Sequence, residues 1–168
     1  VHLTGAPSGR GHQVTLAELD GRKWVVDAGF GKDTPFGPLA LQIGEVQELG
    51  GSPFRLADGG RFGTMLQKLE ENQWRNLYSF DMEYVCKADI EYGNYYTSTN
   101  PNSFFTTSRL AAKPFEDGWA VLFDYRLTLI GNGREQVIDL PDRPGYLDAL
   151  NTYFGIELGA PYEALKPV

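Results

Sequence analysis

One dipeptide does most to limit the fold. Asp20-Gly21 sits between two runs rich in Val, Leu and Trp, His12–Leu19 and Trp24–Gly29. Between such runs, Asp-Gly is a strong signal for a two-residue hairpin turn. That turn pairs Leu19 with Arg22 and sets each later pairing: Glu18 faces Lys23, a favourable cross-strand charge pair, and Val14 faces Asp27. His12 lies two residues before Val14 and therefore shares a face with Asp27. Diagonal neighbours of this kind have Cβ atoms roughly 7 Å apart, within reach of an imidazole–carboxylate hydrogen bond. One more loop residue would send the two side chains to opposite faces.

A carboxylate beside an imidazole fixes the tautomer and orientation of the ring and stabilises the imidazolium, leaving the other ring nitrogen to serve a nucleophile. His12 and Asp27 are thus the candidate catalytic residues, two parts of a three-part set. A surface histidine beside a strand-end cap fits the same spacing, because short His–Asp separations are not specific.

The surrounding residues carry more information. His12 followed by an apolar strand, then Trp24-Val25-Val26-Asp27-Ala28-Gly29-Phe30-Gly31, Pro35 and Pro38-Leu39, resembles the central motif of the arylamine N-acetyltransferases. Downstream, Phe54-Arg55-Leu56, Trp74 with Leu77-Tyr78-Phe80, Asp89-Ile90-Glu91 with Asn94-Tyr95-Tyr96, Ser98 with Pro101, and Ser103-Phe104 follow the order of that family. The resemblance implies that His12 and Asp27 are the family's catalytic His and Asp and that Phe30 is a wall of the acceptor pocket. It places Gly31 by the acyl donor, acetyl-CoA, and implies an arylamine or hydrazine acceptor. Family members also use residues near Phe105–Arg109 to bind the coenzyme, which makes Thr106 and Thr107 candidates for cofactor binding. The plainer role for those threonines is a strand start, where Thr is favourable. The family's nucleophile is a cysteine in an Arg-Gly-Gly-x-Cys motif of an N-terminal helical domain, and nothing of that kind precedes His12 here. By resemblance the chain is expected to be the second and third domains only, a fragment inactive alone, with the helical domain as its candidate partner.

Composition narrows the remaining classes. In 168 residues, 42% are apolar, enough for a core, and 20 glycines, 10 prolines and 13% aromatics favour strands and turns over a helical bundle. Fifteen basic against twenty-two acidic residues give a net charge of −7, which argues against nucleic acid as the main ligand. No apolar run is long enough to cross a bilayer, so no membrane partner is expected. A single cysteine, Cys86, makes neither an internal disulfide nor a metal cluster, and a reducing cytoplasm is the expected setting. No metal site is expected from two histidines, one of them His2 at the start.

Taken in order, Thr4–Gly11 reads as a loop. After the hairpin come strands at Leu39–Ile43, Phe54–Ala57, Phe62–Leu69 and Trp74–Phe80, the last two joined by a turn at Glu70–Gln73. Gly59-Gly60-x-x-Gly63 is a hairpin turn, since no helix pattern or Lys-Ser/Thr follows it. Cys86–Thr99 reads as a helix stopped before Pro101. Strands follow at Arg109–Phe115, Trp119–Asp124, Tyr125–Ile130 and Glu135–Leu140, with Asn132-Gly133 as a second turn signal, then an apolar helical stripe over Gly145–Phe154. The expected fold is mainly β with α+β: an antiparallel β-barrel-like domain over 1–85, a connecting helical segment over 86–107, and an α+β lid domain, an antiparallel sheet with a C-terminal helix, over 108–168.

Three functions compete. The first is the base-supplying half of an acetyl-CoA-dependent transferase that works through a Cys-His-Asp ping-pong cycle. The second is a non-catalytic module that binds CoA or a partner protein. An esterase is the third, weakened by the absence of a Gly-x-Ser-x-Gly elbow. Cys86 is the sole thiol, but it lies downstream of Asp27 among Tyr84, Val85 and Ala88, where a small buried hydrophobe is the commoner role. Asp89 and Glu91, two apart on a helix, do not share a face and make no catalytic pair.

Overall fold

The computed structural model describes residues 9–116 and 118–165. His2 and the lead-in up to Ser8 lie outside them. The chain forms two compact units, the first ending at Gly93 and the second starting at Asn94.

The first unit is built from antiparallel hairpins. β1 (Thr15–Leu19), β2 (Arg22–Val26) and β3 (Leu39–Ala40) form one sheet. A second is a meander of β4 (Val46–Leu49), β5 (Ser52–Asp58), β6 (Thr64–Glu70) and β7 (Gln73–Phe80). Turn chemistry explains the connections. Asp20 and Gly21 have φ of 52° and 71°, and Glu71 and Asn72 have 50° and 61°, the left-handed pairs that match the twist of a two-residue hairpin. The β1–β2 register is the expected one, with Leu19 opposite Arg22 and Glu18 opposite Lys23. Gly50-Gly51 makes a further such turn and defines β4, a strand the sequence reading omits.

The barrel-like expectation needs one refinement, because the unit is two sheets stitched together and not a closed barrel. Gln47 supplies the main stitch. Its side-chain amide accepts from the Ala40 N–H at 2.7 Å and donates to the Ala40 carbonyl at 3.1 Å, imitating a strand partner for β3. Beside it Gly44 N–H donates to the Leu56 carbonyl at 2.7 Å. Val25, Leu39, Phe54, Leu56, Leu66, Leu77 and Tyr78 fill the core, with Val14, Phe30 and Phe80 packed around them.

Helix α1 (Lys87–Thr99) runs from the first unit into the second, and none of its residues is buried. Cys86 caps it: the Cys86 carbonyl accepts from Asp89 and Ile90, and Asp89 returns a carboxylate oxygen to the Cys86 N–H at 2.9 Å. In the second unit the expected strand start at Phe105 is wrong. A helical turn, α2 (Phe104–Thr107), stands there because the Thr106 hydroxyl donates to the carbonyls of Asn100 and Ser103 and competes with strand pairing.

β8 (Leu110–Phe115), β9 (Gly118–Phe123), β10 (Arg126–Gly131) and β11 (Arg134–Asp139) form an antiparallel meander. Asn132-Gly133 makes its expected turn, while Asp124-Tyr125, read as strand, is a tight connection with Asp124 at φ 50°. The terminal helix begins earlier than expected, as α3 (Arg143–Ala149). Asp142 caps it by accepting from Gly145 N–H at 2.9 Å, and Pro144 is tolerated in the first turn. It continues as a π-helical turn over Leu150–Phe154. Tyr146, Ala149, Leu150 and Phe154 pack on Ala120, Leu122 and Leu127 to make the second core. No helix among the described residues is long and apolar enough to cross a membrane.

Gln47→Ala strands a donor and an acceptor at the seam of the first unit and is expected to cost about 1–3 kcal/mol. Denaturant unfolding reads this directly, and an unchanged midpoint would show that the amide stitch carries no stability.

Candidate active site

The site grows out of the first hairpin. Thr15 pairs with Val26, so Val14 stands opposite Asp27 and His12 shares its face. His12 Nε2 lies 2.9 Å from Asp27 Oδ2. The ring side chain is 25% exposed and the carboxylate only 2%, so the acid is hidden behind its base.

Two further donors hold the carboxylate. Gly29 N–H donates to Oδ1 at 2.9 Å, which ends β2 at Val26, short of the expected Gly29. The Tyr78 hydroxyl, from β7, donates to Oδ2 at 2.6 Å. Burial pushes the Asp27 carboxyl up, but hydrogen bonds from His12, Tyr78 and Gly29 together overcome it and hold the group below its ordinary value. Burial, reinforced by the Asp27 charge, drives the Tyr78 phenol well above its usual range. Asp27 is therefore an acceptor and Tyr78 a permanent donor. In the neutral ring, facing an ionised acceptor, Nε2 carries the proton and Nδ1 the lone pair, with no hydrogen-bond partner for Nδ1 among the described residues.

An aromatic cluster frames the imidazole. The Phe30 centroid is 5.3 Å from that of His12 and 4.7 Å from Tyr78, and His12 and Tyr78 meet edge-on at 4.9 Å. Phe30 is half-buried. Gly31 follows at φ 77°, and a Cβ added there would meet nothing within 4 Å, so its backbone presents an open face. Thr106 and Thr107 belong to the second unit, where both hydroxyls donate to backbone carbonyls, Thr107 to Phe104.

The structure thus brings His12, Asp27 and Phe30 together and adds Tyr78, which the sequence reading used only as a family marker. Cys86 is the half-buried cap of α1. Gln13–Leu16 form one wall of an open groove of 310 Å³ whose other walls include Phe80, Met82, Val85 and Ile90. Leu16, Met82, Val85 and Ile90 are all exposed there.

Comparisons with known proteins give the family. The N-acetyltransferase family model matches residues 3–162. An arylamine N-acetyltransferase of Mycolicibacterium smegmatis is 34% identical over 146 residues, covering 87% of this chain and 52% of the relative. Among solved structures, the M. tuberculosis arylamine N-acetyltransferase superposes with a TM-score of 0.89 at 31% identity, covering 99% of this chain and 64% of that one. The Mycobacterium marinum arylamine N-acetyltransferase in complex with CoA gives 0.83 at 34% identity, covering 90% of this chain and 56% of that one. The chain belongs to the arylamine N-acetyltransferase family. It spans about half the length of the curated relatives it matches.

Tyr78→Phe is expected to raise the Asp27 pKa, read from its carboxyl carbon by NMR titration. Because the folded value is depressed, the stability this carboxylate contributes is present above its ordinary pKa and is lost as pH falls through the folded one. Removing the phenol narrows that window and costs about 1.5–3 kcal/mol at neutral pH, the worth of a hydrogen bond to a charged group. An unmoved carboxyl titration would remove Tyr78 from the site.

Proposed function

We propose that this chain supplies the general base and its orienting carboxylate to an acetyl-CoA-dependent N-acetyltransferase acting on arylamines or hydrazines. The observation that carries the reading is the His12–Asp27–Tyr78 chain of hydrogen bonds with Nδ1 left open. The nucleophile is a cysteine thiol, by family resemblance, from the portion of the relatives that this chain does not span. The exposed apolar groove beside His12 supports a helical, nucleophile-bearing partner seated there. A reducing compartment such as the cytoplasm suits a thiolate.

The cycle balances as two acyl transfers. His12 Nδ1 takes the thiol proton, and the thiolate attacks the acetyl carbon of acetyl-CoA. The bond from that carbon to the coenzyme sulfur breaks, and the coenzyme thiol leaves with the Nδ1 proton. An amine then attacks the enzyme thioester and its proton passes to Nδ1, from which it returns to the cysteine sulfur as the carbon–sulfur bond breaks. Throughout, Asp27 stabilises the imidazolium that each half-reaction forms. Phe30 offers its ring to the aromatic acceptor, and Gly31, Thr106 and Thr107 are the proposed coenzyme contacts.

Two measurements test this. The purified chain, incubated with acetyl-CoA and an arylamine, is expected to release no coenzyme thiol and to keep its intact mass. An acetyl adduct on Cys86 that transfers to the amine and disappears in His12→Ala would make the chain self-sufficient and overturn the divided site. Adding the unspanned N-terminal portion of a relative is expected to restore turnover, which His12→Ala or Asp27→Asn then lowers by about 10³-fold or more. Reconstituted turnover indifferent to both substitutions sinks the proposal.

A further inference from the structure

We infer that Asp33 is a positioning residue, an ionic anchor that holds the Gly29–Thr34 loop so that the Phe30 ring packs against the His12 imidazole. Its functional weight rests on the reading of His12 and Phe30 given above, whereas its content is geometric.

A loop with glycines on both sides of a phenylalanine has little intrinsic preference for one conformation. Here it is tied at both ends by carboxylates. At the start, Gly29 N–H donates to Asp27 Oδ1. In the middle, Phe30 N–H donates to Thr34 Oγ1 at 3.0 Å and Thr34 N–H donates to the Gly31 carbonyl at 3.0 Å, closing a 3₁₀ turn over Gly31–Asp33. At the far end Asp33 Oδ1 accepts from Lys68 Nζ at 3.3 Å, and Oδ2 lies 3.0 Å from the Arg75 guanidinium.

The two cations are directly paired across β6 and β7, so the anchor point is a rigid sheet. Glu70 holds Arg75 through two hydrogen bonds of 2.6 and 3.0 Å and lies 3.4 Å from Lys68. Those Arg75 bonds keep the Glu70 carboxyl down at about 2, so Glu70 stays an anion against both cations. Asp33 and Lys68 are only 16% and 17% exposed, which shields their pair from screening far better than an open surface pair. The clasp and the Asp27 carboxylate thus hold opposite ends of one short loop, with Phe30 between them.

The test reads the ring packing in the intact chain. Asp33→Asn and Arg75→Gln cut the clasp from opposite ends, one on the loop and one on the sheet, and backbone amide dispersion reports whether each variant is folded. With the imidazole neutral, the His12 ring proton shifts are expected to move in both variants, in the direction that Phe30→Leu moves them. In a Phe30→Leu background neither change should move them further, because the effect travels through that ring. His12 signals that stay in place in the folded variants overturn the inference, as do signals that move equally with and without Phe30. Failure of the transferase reading would appear separately, as absent reconstituted turnover with these shifts intact.

Discussion

The first unit depends on a single buried charge. Taking a carboxylate out of water costs several kcal/mol, and the Asp27 side chain is 98% hidden only because donors from three places converge on it. His12 comes from before β1, Gly29 from after β2 and Tyr78 from β7. Each hydrogen bond to an ionised group contributes about 1.5–3 kcal/mol, so three together offset the burial where any one would not. The sum has a structural consequence, for the small sheet and the meander are joined a second time, at the candidate site.

That dependence decides what was legible in the sequence. The His12–Asp27 contact follows from a turn type and a period of two, both local, and the register came out as read. Tyr78 did not, because its contact with Asp27 spans 51 residues and crosses a break in the period. Between Leu66 and Gln67 the pairing of β6 with β7 slips, leaving Leu77 as the extra residue. Leu77, Tyr78 and Ser79 are consequently all buried in a row, where strict alternation would have exposed the middle one or its neighbours. Bulges of this kind re-aim side chains beside active sites, and no pattern in the strand itself announces one.

In the second unit the errors have a different origin. The four strands were read nearly to the residue, because alternation and an Asn-Gly turn are local signals. The strand start expected at Thr106 and Thr107 is a helical turn instead, because threonine's preference for strands lost to its hydroxyl's short reach to a backbone carbonyl, a competition that composition alone does not settle. The end of the chain was read as one helix, whereas its last turn widens to a π-helix before Gly155, at φ 68°, closes it. The apolar stripe survives the widening, since Leu150 and Phe154 remain in the core with Tyr146.

The orientation of His12 constrains where a nucleophile can stand. Asp27 occupies Nε2, the ring nitrogen far from the main chain, so the lone pair is on Nδ1, the nitrogen nearest Cβ. A group that engages this lone pair must therefore approach close to the backbone that leads into β1, just before Gln13–Leu16, which wall the open groove. The Cys86 N–H and carbonyl are both spent on capping α1, so displacing this backbone would unwind the start of the helix. The backbone of the one thiol-bearing residue is thus held by the helix it caps, while Nδ1 of His12 has no hydrogen-bond partner among the described residues. On the proposed transferase reading, the nucleophile is carried by an element that covers Leu16, Met82, Val85 and Ile90 and excludes water from Nδ1 at the same time.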